Sequence, residues 1–200
     1  MAIFHLRACD AVLIHIPKTG GSTIRFGIFG GDYEGPFYGD MPERWRPKFS
    51  FCFVRNPFDR LISAWKMFTT GMEDTLWRPP EDGDRTLSLE AFMNIVEDPK
   101  FGDGLERKTF EQKIRHHTIP QTDPINSFDW ANYVGRYETY ARDLDEVLRK
   151  VGWNGDAPTP HMNRTDRGAY QSYFTPTLRR RAEAFYHDDL ARLGYRFEAR

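Results

Sequence analysis

Val12-Leu13-Ile14-His15-Ile16-Pro17-Lys18-Thr19-Gly20-Gly21-Ser22-Thr23 is the stretch around which the rest of the chain is organised. The apolar run from Ala11 to Ile16 reads as a buried strand that stops at Pro17. Gly20 and Gly21 then free the backbone, and Ser22 or Thr23 can cap a helix. The predicted unit is a strand, a tight loop and a helix N-terminus. Such a loop turns successive N–H groups toward one point, where the positive end of the helix dipole adds to them, so it suits an anion such as a phosphate. Lys18 supplies a mobile positive charge. The order differs from the nucleotide loop GxxxxGK[ST], because the lysine precedes the glycine pair, and an ordinary ATP or GTP site is disfavoured.

A second stretch works in the same way. Phe49 to Val54 is almost continuously apolar and is predicted as a strand buried on both faces, as in a parallel sheet. It ends at Arg55, after which Asn56 can cap a helix, Pro57 suits its first position and Asp59 falls where a capping-box acid would reach back. Phe58, Leu61, Ile62, Trp65 and Phe68 follow helical spacing as a core-facing stripe, with Ser63 off it. Arg55 and Ser63 are thus presented by rigid elements, about two helical turns apart.

These two stretches resemble the sulfotransferases that use 3′-phosphoadenosine 5′-phosphosulfate (PAPS). His15-Ile16-Pro17-Lys18-Thr19-Gly20-Gly21-Ser22-Thr23 is similar to the 5′-phosphosulfate loop of the carbohydrate sulfotransferase branch. Phe51-Cys52-Phe53-Val54-Arg55-Asn56-Pro57-Phe58-Asp59-Arg60-Leu61-Ile62-Ser63 resembles the family's 3′-phosphate element, in which a strand-end Arg and a Ser eight residues later hold that phosphate. His117-Thr118-Ile119-Pro120-Gln121 resembles a His-Trp-x-Pro-Gln segment, with Thr118 in place of Trp. Tyr133-Val134-Gly135-Arg136-Tyr137-Glu138-Thr139 resembles a strand with glycine, a basic residue, an aromatic residue and Glu-Thr. The resemblance runs from about residue 11 to 195. It implies an α/β three-layer fold with a short central parallel sheet and a P-loop-like phosphosulfate loop. It also implies transfer of a sulfuryl group to an acceptor hydroxyl, carbohydrate-like in this branch, with release of 3′-phosphoadenosine 5′-phosphate (PAP) and no metal.

The resemblance assigns roles residue by residue. Lys18, with the N–H groups of Thr19, Gly20, Gly21, Ser22 and Thr23, would hold the phosphosulfate and stabilise charge on the leaving oxygen. Arg55 and Ser63 would read the 3′-phosphate, which ATP lacks. His117 matches the family's histidine and is the candidate base, with Glu34 and Asp40 as rivals in the connection between the phosphate motifs. Arg136, Asn163, Arg164 and Arg167 are secondary candidates where family members close over the nucleotide. Trp45, Trp65, Trp77, Tyr170 and Tyr173 could stack on adenine or a sugar, although Trp65 reads as core. His15 reads as a strand-end residue that orients the loop. His116 beside His117 does not complete a zinc set.

Composition sets the outer limits. Two hundred residues suit one domain, and 28 Lys+Arg against 29 Asp+Glu leave a net charge of −1, with no global pull toward nucleic acid or a membrane. Charge is locally uneven, with Arg44, Arg46, Lys48, Arg55, Arg60 and Lys66 around the second motif. Cys9 and Cys52 cannot form a secreted-type disulfide framework, which points to a reducing, cytoplasmic setting. The first ten residues lack the apolar core of a signal peptide, and no window has the apolar length of a membrane span. Animal carbohydrate sulfotransferases are typically anchored in the Golgi, so the expectation is a soluble, microbial-type member.

Elsewhere, residues 30–48 hold four glycines and three prolines and read as an irregular connection. Predicted helices cover Ile24–Phe29, Ser88–Val96, Thr139–Val151 and Thr175–Leu193; a third strand covers Asn132–Tyr137. Residues 70–87 and Trp153–Pro160 read as loops. Two competing functions fit parts of the pattern. An atypical small-molecule or nucleotide kinase would need Mg²⁺ and ATP, yet no apolar run ends in a Walker B aspartate. A non-catalytic nucleotide-binding module would use Arg55 and Ser63 without a base.

Overall fold

The computed structural model describes residues 2–70, 86–102, 104–155 and 168–198. In chain order its strands and α-helices are β1 (Ala2–Leu6), β2 (Ala11–His15), β3 (Tyr33–Tyr38), β4 (Ser50–Val54), α1 (Pro57–Thr70), α2 (Leu89–Glu97), α3 (Phe110–Thr118), β5 (Tyr133–Arg136), α4 (Tyr140–Lys150), α5 (Pro176–Phe185) and α6 (His187–Leu193). They fall into two compact units, Met1–Arg55 with Gln121–Met162 and Asn56–Pro120 with Asn163–Arg200.

The first unit holds a five-stranded sheet in the order β3-β1-β2-β4-β5. β4 runs parallel to both β2 and β5, as the continuous apolar runs predict, and every residue of β4 is buried. The sheet is nonetheless mixed, which corrects the expected all-parallel arrangement: β1 is antiparallel to β2 and to β3. Its cause is the connection between β1 and β2, a single turn at Arg7–Cys9 with Asp10 left-handed at φ 52°. So short a link can only make a hairpin, since parallel neighbours need a crossover of a dozen residues or more.

β3 lies inside the stretch expected to be irregular. It is an edge strand, where Pro36 need not donate to a ladder. Gly35, at φ 125°, allows a close approach, because a Cβ there would lie 2.7 Å from the carbonyl oxygen of Ile3. Gly135 serves the same end inside the sheet, with a hypothetical Cβ 2.5 Å from the ring of Phe53, its partner on β4. On one face of the sheet Phe4, Leu13, Phe51 and Phe53 form a core with Ile24, Leu144, Val147 and Leu148. The last three recur at helical spacing and form the buried face of α4.

In the second unit α1 starts where its signals place it, with the N–H of Phe58 donating to Asn56 Oδ1 at 3.1 Å. It is buried on nearly all sides, so Ser63, expected off the core stripe, is only 5% exposed. Ser88 caps α2, and Thr109 with Gln112 forms a full capping box on α3. The other end of α3 is closed by Arg60, which is fully buried and donates to the carbonyls of Ile119 at 2.9 Å and His117 at 3.0 Å. Tyr186 donates its hydroxyl to Thr118 at 2.8 Å. Arg60 therefore satisfies helix-end carbonyls rather than adding to a surface cationic patch. The C-terminal helix expected over Thr175–Leu193 is two helices, α5 and α6, interrupted at buried Tyr186. Thr175 caps the first and left-handed Gly194 closes the second.

Candidate active site

Because β2, β4 and β5 are parallel, the chain leaves all three at one edge of the sheet, at His15, Val54 and Arg136. Three sequence-predicted elements of the first unit converge there: the Lys18 loop, Arg55 and the Arg136 turn.

In the loop, Lys18 (φ 69°) and Gly20 (φ 91°) are both left-handed and bracket buried Thr19, whose hydroxyl donates to the carbonyl of Ile16 at 2.7 Å. The helix that follows, Thr23–Ile28, is a π-turn rather than an α-helix, a wide form concentrated at functional sites. Ser22 is already helical at φ −69°, ψ −38° and makes no side-chain cap, so the predicted capping role is not realised. The two glycines prove to be packing requirements as well as hinges. A Cβ on Gly21 would lie 2.0 Å from His15 Nδ1, and one on Gly20 would lie 2.5 Å from the ring of Tyr140. Tyr140 also donates its hydroxyl to the Gly20 carbonyl at 2.8 Å and bonds the side chain of Thr23; burial pushes its phenol above the ordinary range. His15 thus does lie against the loop, as its strand-end position suggests.

Arg55 is 6% exposed. Its guanidinium donates from Nη1 to the Lys18 carbonyl at 3.2 Å and lies 4.0 Å from the centroid of the Tyr137 ring, a cation–π contact. Its main chain is held by Gln121. The turn carrying Arg136, Tyr137 and Tyr140 is tied by Asp143, which accepts from the Arg136 N–H at 2.7 Å and the Thr139 hydroxyl at 2.8 Å. Burial alone would push the Asp143 carboxyl up, but those two donors and Arg142 outweigh it and hold the group below the ordinary carboxylate range.

The rival bases differ in setting. Glu34 lies on β3 in an ion pair with Arg44, and Asp40 is an exposed bend residue. In the second unit, half-buried His117 ends α3 with Nδ1 2.8 Å from the Lys113 carbonyl and its ring edge-on to Phe68. Neighbouring His116 is buried against the Gly104 carbonyl, and burial lowers it to about 4. Trp45 is 1% exposed and packs on Phe37, so it belongs to the core and offers no stacking face to a ligand. Tyr170 is likewise buried, and Tyr173 packs edge-on against Trp65. Asn163, Arg164, Arg167 and Trp77 lie outside the described residues.

Sequence reasoning did not single out Gln121, Tyr137, Tyr140 or Asp143. Two of them stand in segments carrying the resemblance, but nothing in local spacing marks a side chain that acts across 66 or 120 positions.

Comparison with protein families matches residues 36–196 to the sulfotransferase family. The chain belongs to that family. No curated protein and no solved structure matches. The matched stretch includes Arg55, Ser63, His117, Gln121, Arg136 and Tyr140 and begins beyond the Lys18 loop. Family membership brings sulfuryl transfer to hydroxyl-bearing acceptors, a chemistry for which sulfotransferases generally use PAPS. Among the described residues no helix is long and apolar enough to cross a membrane, and no group of three or more His, Cys, Asp or Glu is placed to hold a metal ion.

Proposed function

We propose that this sulfotransferase uses PAPS as donor and a carbohydrate-like hydroxyl as acceptor, releasing PAP. The observation that carries the donor assignment is the contact of Arg55 with the Lys18 carbonyl at the carboxyl ends of two adjacent parallel strands. Ligands of open α/β sheets bind at that edge. There the left-handed turn at Lys18 and Gly20, running into a helix N-terminus, has the chemistry of an oxyanion cradle, and a guanidinium stands beside it. The donor set therefore fits an anionic nucleotide.

PAPS, when bound, supplies the activated sulfuryl group and a phosphate leaving group. Lys18 would supply an ammonium to the negative charge that grows on the leaving oxygen, a stabilisation realised mainly in the transition state. Arg55 would hold the 3′-phosphate through charge-assisted hydrogen bonds. Ser63 and His117 take their roles, a 3′-phosphate hydroxyl contact and the base, from the resemblance of their segments. For His117 the contact with Lys113 supports that role: a neutral ring that donates from Nδ1 keeps its lone pair on Nε2. Glu34, already paired with Arg44, and Asp40 stand behind it as rivals. We take both compact units as one sulfotransferase domain, since the family match runs through both. Cys9 and Cys52 are free thiols, in keeping with a cytoplasmic setting.

Calorimetric titration with PAP, ADP and ATP-Mg²⁺ at one salt concentration tests the donor. Tight PAP binding with little for the others supports the reading. Preference for ATP-Mg²⁺, or no binding at all, overturns it. Transfer to a panel of glycosides then tests the acceptor.

A further inference from the structure

Gln121 is fully buried yet belongs to no strand or helix. Its carboxamide bonds both main-chain polar groups of a residue 66 positions away: Arg55 donates its main-chain N–H to Oε1 at 2.8 Å, and Nε2 donates to the Arg55 carbonyl at 2.8 Å. A carboxamide carries donor and acceptor in one plane, as a peptide group does, so this side chain acts as a one-residue strand neighbour. The need for it follows from the sheet. The pairing of β4 with β5 ends at Val54 opposite Arg136, which leaves Arg55 as the first residue beyond the ladder. At 6% exposure, a main-chain polar group of Arg55 left without a partner would bear the full cost of its lost hydration. Gln121 is anchored in turn, its carbonyl accepting from Nδ2 of fully buried Asn126 at 3.2 Å.

We propose that Gln121 is a positioning residue that sets selectivity for 3′-phosphorylated donors. With both main-chain groups of Arg55 fixed, the direction in which its side chain leaves the sheet is fixed too, and the guanidinium lies over Tyr137 and against the Lys18 carbonyl before any donor arrives. Guanidinium recognition of a phosphate is directional, and a hydrogen bond to a charged group contributes about tenfold to a hundredfold in binding, so a misplaced guanidinium forfeits up to that much. The inference rests on reading Arg55 as the contact for the 3′-phosphate.

The test uses Gln121→Glu and Gln121→Met, with calorimetric affinities for PAP and for AMP, which lacks the 3′-phosphate. Glutamate keeps the size and the acceptor but sets a second acceptor against the Arg55 carbonyl; methionine keeps the volume and removes both polar groups. In each variant the preference for PAP over AMP should fall by about tenfold or more, while AMP affinity stays within about threefold of wild type. The ring-current shift that Tyr137 imposes on the Arg55 Nε–H proton should shrink in parallel. An unchanged preference in both folded variants, or equal losses for PAP and AMP, overturns the positioning role. A wild-type protein that does not prefer PAP to AMP overturns the assignment of Arg55 itself, and this inference with it.

Discussion

A single methyl group at Gly21 probes how the phosphate loop is held. Gly21, unlike Gly20, does not have a left-handed backbone, so alanine there brings no dihedral strain and the effect is purely steric. The new Cβ would lie 2.0 Å from His15 Nδ1, 2.5 Å from Cε1 and 3.2 Å from Cγ. Carbon contacts are comfortable at about 3.5–4.0 Å, so the overlap is about 1.5 Å and spans the ring rather than its tip. The His15 main chain cannot retreat, because it is paired with Ala2 in the sheet. Either the ring rotates out of its place or the loop moves.

Overpacking of this kind destabilises by about 1–3 kcal/mol. A displaced loop should also weaken PAP binding by about tenfold, equivalent to about 1.4 kcal/mol. The decisive comparison is a double-mutant cycle of Gly21→Ala with His15→Ala, read by urea unfolding and PAP calorimetry. Removing the ring removes the overlap, so the double variant should be more stable than the sum of the single effects by about 1–3 kcal/mol. Strict additivity would refute the reasoning. Gly20→Ala supplies the control, since its obstacles are Tyr140 and a φ of 91°, and His15→Ala should not rescue it.

Lys18→Ala should reduce turnover by about a hundredfold or more while PAP affinity changes by less than about tenfold, because the charge is needed most where charge develops. Equal losses in steady-state kinetics and calorimetry would remove Lys18 from the transfer step. Arg60→Met strands the carbonyls of His117 and Ile119 at the end of α3 and should lower stability by about 2–5 kcal/mol. At about 2–4 °C per kcal/mol for a chain of this size, the melting temperature should fall by roughly 4–20 °C, and a fall under about 2 °C would show that those carbonyls find other partners. Asp143 is held below its unfolded value of about 3.9, so its contribution is complete above that pH and disappears as pH falls through the folded value. Asp143→Asn should therefore be less stable than wild type at neutral pH, with the gap closing on acidification; a gap of constant size in denaturant melts would contradict the assignment.

The elements that were legible in advance share one property: their signals lie within a few residues of one another. β2 and its loop, β4 with the Asn56-Pro57 start of α1, β5 with α4, and the caps at Ser88 and Thr175 all follow from apolar spacing, glycine freedom and side chains that bond the next turn. The same local chemistry placed Lys18 and Arg55 at strand ends. β1 and β3 were not legible. β1 is a short hairpin arm whose partner alone gives it a register, and β3 contains Gly35 and Pro36, tolerated only because the strand sits at an edge.

The chain's own order of residues thus determined the two phosphate-type motifs, the parallel pair that carries them and the family resemblance they support. Tertiary structure decided what surrounds them: that the sheet is mixed, that Arg60 closes a helix, and that His15, Tyr140, Tyr137 and Gln121 hold the loop and Arg55 in place. The reason is range. A cap or an amphipathic stripe is formed by neighbours along the chain, whereas a side chain that bonds a main-chain group 66 or 120 positions away depends on which strands lie side by side.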